Sequence, residues 1–199
     1  MGKVVCDVAV SADGFSAGLN QCEERPFGDG DMGMLHSWMF DAPDENKAEL
    51  AQITAAKAFI MGRNMFGPIR GGWHSDWNGW WGSNPPYHAP VFVLTNHPRA
   101  SLPMEGGTTF HFVTDGIESA LRQARQVAGD QDVAISGGAS TINQYLTAGL
   151  IDELRLHITP FTLGVGTRIF DGVPPLKLEQ VSSRAASTVT HITYRVIRP

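Results

Sequence analysis

Three stretches of the sequence place glycine, hydroxyl or basic residues directly after an apolar run. Glycine lets a ligand approach the backbone closely, and the first amides of a helix have no acceptor within the helix, so such junctions suit phosphate groups. In open α/β sheets the ligand crevice lies outside the carboxyl ends of the strands. The three junctions together predict a site for an extended anionic ligand, such as a dinucleotide. They are Gly62-Arg63-Asn64-Met65, Thr95-Asn96-His97 and Ser136-Gly137-Gly138-Ala139-Ser140-Thr141.

Each junction alone also has a plainer interpretation, which is an ordinary turn with a solvated polar residue. The first predicted strand is not followed by a Gly-x-Gly-x-x-Gly pattern, which disfavours an ordinary Rossmann site. The sequence contains no P-loop and no metal-binding motif. The order and spacing of the three junctions therefore carry the prediction.

The residue that would donate a proton is not marked by any motif. Asp41, Asp44 and Glu45 lie near a predicted helix, and His157 lies within the apolar stretch "ELRLHITP". His157 could equally face solvent or be hydrogen-bonded within the sheet. His36 and Trp38 could face the same cleft or only pack their own segment down. We keep Asp41, Glu45 and His157 as candidates and leave the catalytic residue unassigned.

Residues 67–90 form a long aperiodic segment that contains four of the five tryptophans, Trp73, Trp77, Trp80 and Trp81. Loops of this length inside a compact domain are uncommon and are often functional. The flat indole faces could cover a planar ring, contact a second subunit or pack within the loop. The sequence leaves these three alternatives open.

The composition excludes several classes of protein. Of 199 residues, 42% are apolar and 18% charged, which is typical of a globular chain that folds as one domain over residues 1–199. The net charge of −5 without a basic block argues against a nucleic-acid partner. No stretch approaches the roughly 20 apolar residues needed to span a bilayer. Cys6 and Cys22 fit neither a metal spacing nor a disulfide framework, so we expect reduced thiols and a cytoplasmic location.

The hydrophobic pattern predicts an α/β fold with a mixed sheet of about eight strands, mostly parallel, with an antiparallel C-terminal hairpin and about four helices. Asp115 and Glu118 resemble a capping box at the start of a helix that ends at Gly129. The predicted strands cover 3–10, 58–62, 89–95, 108–114, 132–136, 152–160, 176–182 and 188–197, and two further helices cover 44–57 and 140–148.

Five stretches occur in an order that resembles the dihydrofolate reductase fold. They are similar above all to the reductase domains of riboflavin biosynthesis, the C-terminal domains of bifunctional deaminase-reductases. The resemblance spans nearly the whole chain, and the last two stretches are the most specific. The five are "VAVSADGFSAG" (8–18), "IMGRNMFG" (60–67), "VFVLTNHPR" (91–99), "ISGGASTINQYLTAGLIDEL" (135–154) and "LGVGTRIFDG" (163–172).

The resemblance implies an NADPH-dependent oxidoreductase and assigns cofactor-binding roles to all three junctions. Gly62, Arg63, Asn64 and Met65 would hold the adenine-side phosphates. Leu94, Thr95 and Asn96 would lie at the 2′-phosphate. The pyrophosphate would rest on Gly137, Gly138, Ala139, Ser140 and Thr141, with Gln144 nearby. Ala9, Ser16 and Ala17 would line the nicotinamide.

The sequence also departs from its relatives. Where folate reductases carry an arginine for the glutamate tail, this chain reads "PPYHAP", which argues against folate reduction. The zinc motifs of the deaminase domain are absent.

Three hypotheses follow from these comparisons of motifs. The first is a reductase resembling 5-amino-6-(5-phosphoribosylamino)uracil reductase. The second is a reductase of the same fold for another small imine- or pterin-like heterocycle, and the third is a non-catalytic nucleotide-binding protein. Edge strands in the C-terminal hairpin and the tryptophan-rich segment lead us to expect a homodimer, as the resemblance does.

Overall fold

The computed structural model describes residues 2–67, 71–73 and 77–198. Its core is a nine-stranded sheet in the order β10-β11-β8-β1-β7-β3-β4-β6-β5, and β2 pairs with β9 beside it. The strands are β1 (Val4–Ser11), β2 (Phe15–Ala17), β3 (Ala58–Gly62), β4 (Pro90–Leu94), β5 (Leu102–Pro103), β6 (Thr109–Val113), β7 (Val133–Gly137), β8 (Glu153–Thr159), β9 (Thr167–Arg168), β10 (Lys177–Ala185) and β11 (Thr190–Ile197).

Six neighbouring strands, β8, β1, β7, β3, β4 and β6, run parallel. The C-terminal hairpin β10-β11 joins β8 antiparallel, and the two-residue β5 closes the other edge. The predicted fold class, mostly parallel with an antiparallel C-terminal hairpin, is confirmed. The main sheet has one strand more than predicted because β5 is too short to leave a hydrophobic pattern.

The helices lie in the connections between strands. They are α1 (Gly33–Phe40), α2 (Lys47–Ile53), α3 (Arg63–Phe66), α4 (Ile117–Ala128) and α5 (Ala139–Thr147), with a 3-10 turn at Glu105–Gly107. The sequence analysis did not predict α1, whose start has no capping side chain and no acidic residue in its first turn. It extended α2 to 44–57, whereas the helix begins at Lys47.

The capping box predicted for α4 is wrong. The helix is capped by Gly116, which has no side chain to bond the first amides. Asp115 instead accepts a hydrogen bond from the Ser119 hydroxyl at 2.6 Å, and this bond lowers the pKa of the carboxyl group. Glycine at residue 116 adopts a φ of +90°, so the chain enters the helix from a turn and Asp115 cannot occupy the capping position.

Apolar side chains fill both faces of the sheet. One face packs against α4 and α5, where Ile60 and Ile135 of the strands meet Leu121 and Tyr145. The other face holds Phe59, Met61, Phe66 and Phe110. Because the central strands are buried on both faces, they read as continuous apolar runs.

The described tryptophans of segment 67–90 pack against this second face. Trp73, Trp77 and Trp81 are partly buried against its core, and Trp81 stacks on Phe110 at 5.9 Å between ring centroids. Part of the segment, residues 68–70 and 74–76, lies outside the described residues. Packing is thus the observed role of these indoles.

Candidate functional site

The three predicted junctions lie side by side, because β7, β3 and β4 are neighbours in the sheet and parallel. Their carboxyl ends meet at one edge, which we call the ligand edge. Contacts join the first and third junctions directly. A Cβ built on Gly62 would lie 2.3 Å from Thr141 Oγ1, and one built on Gly137 would lie 3.3 Å from Met65 Sδ. Glycine at these positions thus lets the two segments touch.

The third junction is a glycine turn that leads into α5. Gly137 has a φ of +124°, which favours glycine, and a Cβ on Gly138 would meet open space. Thr141 and Ile142 donate their amides to the Gly138 carbonyl at 2.9 and 3.1 Å. The two preceding amides, of Ala139 and Ser140, open the helix, so they have no acceptor within it. This arrangement can receive an anion.

Ser140 and Gln144 lie on the exposed side of α5. The Gln144 amide donates to the Ser140 carbonyl at 3.2 Å. Both residues thus lie beside the turn.

Arg63 at the end of β3 is held by an indole. Its guanidinium carbon lies 3.2 Å from the centroid of the Trp73 ring, and its Nη2 donates to the Gly71 carbonyl at 3.3 Å. Arg99 faces the same indole at 4.9 Å. Trp73 donates its Nε1 hydrogen to the His97 carbonyl at 2.9 Å. One indole therefore connects the ends of β3 and β4 and gathers two permanent positive charges there.

The second junction is a tight hydroxyl turn. Thr95, 9% exposed, accepts a hydrogen bond from the His97 amide at 3.1 Å, while Asn96 is exposed and Leu94 is half-buried. The Thr95 hydroxyl is thus engaged in shaping the turn. Sequence analysis missed Arg99 as a member of this site, although the residue stands only three positions after Asn96.

The segments predicted to line the nicotinamide lie at the ends of β1 and β8. Ala9 is the register partner of His157, and the Ser16 hydroxyl donates to the Thr167 carbonyl at 3.2 Å. Ala17 pairs with Thr167 across β2 and β9.

Asp13 ties these segments together. Its carboxylate accepts from the Ser11 hydroxyl at 2.6 Å and from the amides of Leu163 and Gly164 at 3.0 and 2.7 Å. These hydrogen bonds, led by that of Ser11, hold the pKa of Asp13 at about 2. Asp13 is therefore a carboxylate that fixes the two loops at this end of the site.

The acidic candidates for the proton donor lie away from the ligand edge. Asp41 and Asp44 are exposed around the end of α1. Glu45 is also exposed and accepts hydrogen bonds from the amide and hydroxyl of Ser187, which lower the pKa of its carboxyl group. The structure brings none of the three beside Ala9.

His157 is buried, with 3% of its surface exposed. Its Nδ1 lies 2.8 Å from Nδ1 of His191, and its Nε2 lies 3.4 Å from Asp7 Oδ1. The Trp38 ring covers it at 4.7 Å between centroids, so both Trp38 and His157 pack at the sheet. Asp7 and His191 were not predicted as site residues. The sequence did offer one signal for Asp7, because its charge interrupts the apolar run of β1.

Further features of the described part of the chain bear on function. Residues 2–67, 71–73 and 77–198 contain no group of three or more His, Cys, Asp or Glu residues that could hold a metal ion. None of the helices within those ranges has the length and apolar character to cross a membrane. Cys6 and Cys22 are free thiols, and burial raises the pKa of Cys6 well above its usual range.

Comparison with solved structures gives the same fold. A protein of Shewanella sp. PV-4 provisionally assigned to riboflavin biosynthesis superposes with a TM-score of 0.64 at 23% identity, covering 98% of this chain and 99% of that one. A deaminase-reductase of Thermotoga maritima, diaminohydroxyphosphoribosylaminopyrimidine deaminase/5-amino-6-(5-phosphoribosylamino)uracil reductase, gives 0.60 at 17% identity and 98% coverage; this chain spans 57% of that protein.

Dihydrofolate reductase from Enterococcus faecalis, solved with NADP(H) and RAB-propyl, gives a TM-score of 0.58 at 15% identity. The coverage is 98% of this chain and 96% of that one. At these identities the superpositions show the fold and not the activity.

Comparison of sequences is more specific. The protein YyaP of Bacillus subtilis (strain 168), itself uncharacterised, is 35% identical over 85 residues, which are 42% of this chain and 45% of that protein. The family model of the RibD C-terminal domain matches residues 2–192. The chain therefore belongs to the RibD C-terminal domain family.

Proposed function

We propose that this protein is an NADPH-dependent oxidoreductase that reduces an imine-like bond in a small heterocycle of the ribosylaminopyrimidine class. The observation that carries the proposal is the ligand edge, where β7, β3 and β4 bring the three predicted junctions side by side. Membership of a family with reductase domains supports the oxidoreductase class. The named substrate of the T. maritima relative, 5-amino-6-(5-phosphoribosylamino)uracil, is the first compound to test.

The residues at the ligand edge fit a pyridine dinucleotide. Open space at Gly138 and the first amides of α5 would receive the pyrophosphate. Arg63, stacked on Trp73, would meet the adenosine 2′-phosphate with a planar fork of donors. Asn96 is exposed beside them. The anion-binding groups and the charge of the proposed ligand therefore agree.

When bound, the cofactor would supply a hydride. The protein must then bind the cofactor and the substrate, orient them and supply a proton. The glycine junctions would hold the cofactor along the ligand edge. Asp13 holds the loops at residues 11–16 and 163–164 together where the reacting ring would lie. Loops fixed in this way would hold the reactants in a productive geometry.

The first test is binding of the cofactor to the purified protein. NADPH at 100 times its dissociation constant should stabilise the folded state by about 2.7 kcal/mol, and the melting temperature should rise accordingly. NADH should give a smaller rise because it lacks the 2′-phosphate. If saturating NADPH leaves the melting temperature unchanged, the proposed function is wrong.

The second test is a screen for NADPH oxidation, followed at the absorbance of the reduced cofactor. The substrates are 5-amino-6-(5-phosphoribosylamino)uracil, dihydrofolate and simple cyclic imines. We expect turnover with the aminopyrimidine and none with dihydrofolate, since "PPYHAP" offers no arginine for the glutamate tail. Turnover with the simple imines alone would favour the second hypothesis, a reductase of the same fold for another small heterocycle.

A further inference from the structure

A row of buried polar side chains crosses the sheet on the face covered by α1. Ala9, His157 and His191 are register partners on β1, β8 and β11, so their side chains lie on one face. Asp7 stands two residues before Ala9 on the same strand and therefore shares that face. The row reaches from the predicted nicotinamide position at Ala9 to Asn46, just before α2.

The direction of the hydrogen bonds at the outer end of the row is fixed by Asn46. Its Nδ2 donates to the carbonyls of Trp38 and Ala42 at 3.0 and 2.9 Å, so its Oδ1 is the atom that faces His191 Nε2 at 2.9 Å. An amide oxygen only accepts, so His191 must carry its hydrogen on Nε2. Arg184 donates to the same oxygen at 3.0 Å.

A positive charge on His191 is disfavoured by Arg184, whose guanidinium donates to the same Asn46 oxygen. Burial acts in the same direction and lowers the pKa of His191. His191 is therefore the neutral member of the histidine pair. With its hydrogen on Nε2, its Nδ1 has only a lone pair, and this atom lies 2.8 Å from Nδ1 of His157. His157 must therefore donate from Nδ1.

The last contact of the row then requires one more proton. His157 Nε2 and Asp7 Oδ1 lie 3.4 Å apart, and neither has a hydrogen-bond partner within the described ranges. With its hydrogen on Nδ1, a neutral His157 would turn the Nε2 lone pair toward the carboxyl oxygen of Asp7. Two buried acceptors facing each other are unfavourable, so a proton must lie between them.

The surrounding charges decide which partner keeps that proton. Arg155 donates to Asp7 Oδ2 at 3.3 Å, which favours the carboxylate. The face of the Trp38 ring against His157 favours a cation. The other charged groups near the row have partners of their own. Glu49 accepts two hydrogen bonds from Arg184. Glu153 pairs with Arg155 and Lys3, and Glu45 accepts from Ser187.

We propose that His157 is a buried imidazolium paired with the Asp7 carboxylate. The register of β1 and β8 places this charged pair beside Ala9, the predicted nicotinamide position. A role for the pair next to the reacting ring rests on the proposed function, whereas the charge state does not.

The charge state can be measured on the free protein by nitrogen-15 NMR of the histidine side chains at neutral pH. We expect protons on both ring nitrogens of His157 and on Nε2 alone of His191. In Asp7→Asn the new amide can donate to Nε2, so His157 should become neutral without losing a contact. Glu179→Gln, which removes an exposed carboxylate on β10, is the matched control and should leave His157 charged.

A neutral His157 in the unaltered protein would overturn the proposal, and so would an imidazolium that persists in Asp7→Asn. If Asp7→Asn does not fold, the nitrogen-15 NMR spectrum of the unaltered protein at neutral pH decides alone. Both readouts are independent of the cofactor. Absence of an NADPH-induced melting shift would refute the proposed function and leave the charge state of His157 to its own measurement.

Discussion

At the scale of single residues, the site depends on how its charges are held before any ligand arrives. Arg63 is stacked on Trp73 and bonded to the Gly71 carbonyl, so its guanidinium is partly ordered in the free protein. A side chain already held in place loses less conformational entropy on binding. From the sequence, Trp73 could cover a planar ring, contact a second subunit or pack within its loop. In the structure it orients Arg63.

Replacing Arg63 by alanine should weaken NADPH binding far more than NADH binding. A charge-assisted hydrogen bond is worth about 1.5–3 kcal/mol, which corresponds to roughly one to two orders of magnitude in affinity. Loss of the contact with Trp73 should also lower stability by about 0.5–1 kcal/mol. Isothermal titration with both cofactors measures the first effect and urea unfolding the second.

Arg195→Ala is the control for this substitution, because Arg195 pairs with exposed Glu179 on the C-terminal hairpin. It should leave both cofactor affinities unchanged. Equal losses of NADH and NADPH affinity in Arg63→Ala would instead mean that Arg63 has a structural role only.

Two histidines with lowered pKa values should make the protein sensitive to mild acid. Burial lowers the pKa of His36 from 6.5 to about 4, and His191 shares that value. Between pH 4 and pH 6.5 the unfolded chain binds more protons than the folded chain. The free energy of unfolding therefore falls as the pH falls from 6.5 toward 4. Each group contributes at most about 1.4 kcal/mol per pH unit in that interval.

Urea unfolding midpoints measured between pH 7 and pH 5 check this dependence, because most carboxylates titrate below that range. His36→Phe should reduce the slope, since phenylalanine can keep the ring contact with Phe27 without a proton to bind. A flat profile for the unaltered protein would contradict the lowered pKa values of His36 and His191.

The Asp7–His157–His191 row could not have been read from the sequence. Its members are separated by up to about 180 positions and meet only through the pairing of β1, β8 and β11. The sequence showed Asp7 inside an apolar run and His157 inside a strand. Neither pattern reveals which residue stands opposite on the neighbouring strand.

At the scale of elements, the strands were far easier to predict than the helices that cover the sheet face opposite α4 and α5. β3, β4 and β7 carry uninterrupted apolar runs, since both of their faces are covered, and β3 was predicted at its observed bounds. In contrast, α1 follows a glycine- and aspartate-rich stretch, and tertiary packing of Leu35 and Trp38 holds it in place. Packing of this kind leaves little local signal.

A negative charge at the start of α5 should separate the stability of the free protein from cofactor binding. Ser140 is exposed in the first turn, where the helix dipole favours an anion. Ser140→Asp should therefore stabilise the free protein by about 0.3–1 kcal/mol. The same charge would repel a pyrophosphate, and a cost of about 1 kcal/mol or more would reduce NADPH affinity several-fold.

Thermal melting without ligand and titration with NADPH measure these two opposite effects. Ser140→Asn, similar in size and uncharged, is the control and should change both quantities less. An unchanged NADPH affinity in Ser140→Asp would show that the anion does not bind at this helix terminus.

At the scale of the whole molecule, the two edges of the sheet differ. The β5 edge has two residues, which limits its pairing with another chain. The β10 edge is nine residues long and mostly exposed, and Val181 on it is 51% exposed. The sequence suggested two surfaces for a homodimer contact, the tryptophan-rich segment and the C-terminal hairpin. Because Trp73, Trp77 and Trp81 are partly buried within the chain, the hairpin is the better candidate.

We propose that the protein forms a homodimer through the β10 edge. A long exposed edge strand presents unpaired backbone groups, and a second copy can satisfy them with an apolar contact at Val181. Light scattering should then give twice the chain mass of 21.6 kDa at micromolar concentration. Val181→Lys places a charge in that contact and should yield monomers, whereas Val127→Lys, on the exposed side of α4, should not. A single species of one chain mass in the unaltered protein would rule the dimer out, and a dimer that persists in Val181→Lys would place the interface elsewhere on the surface.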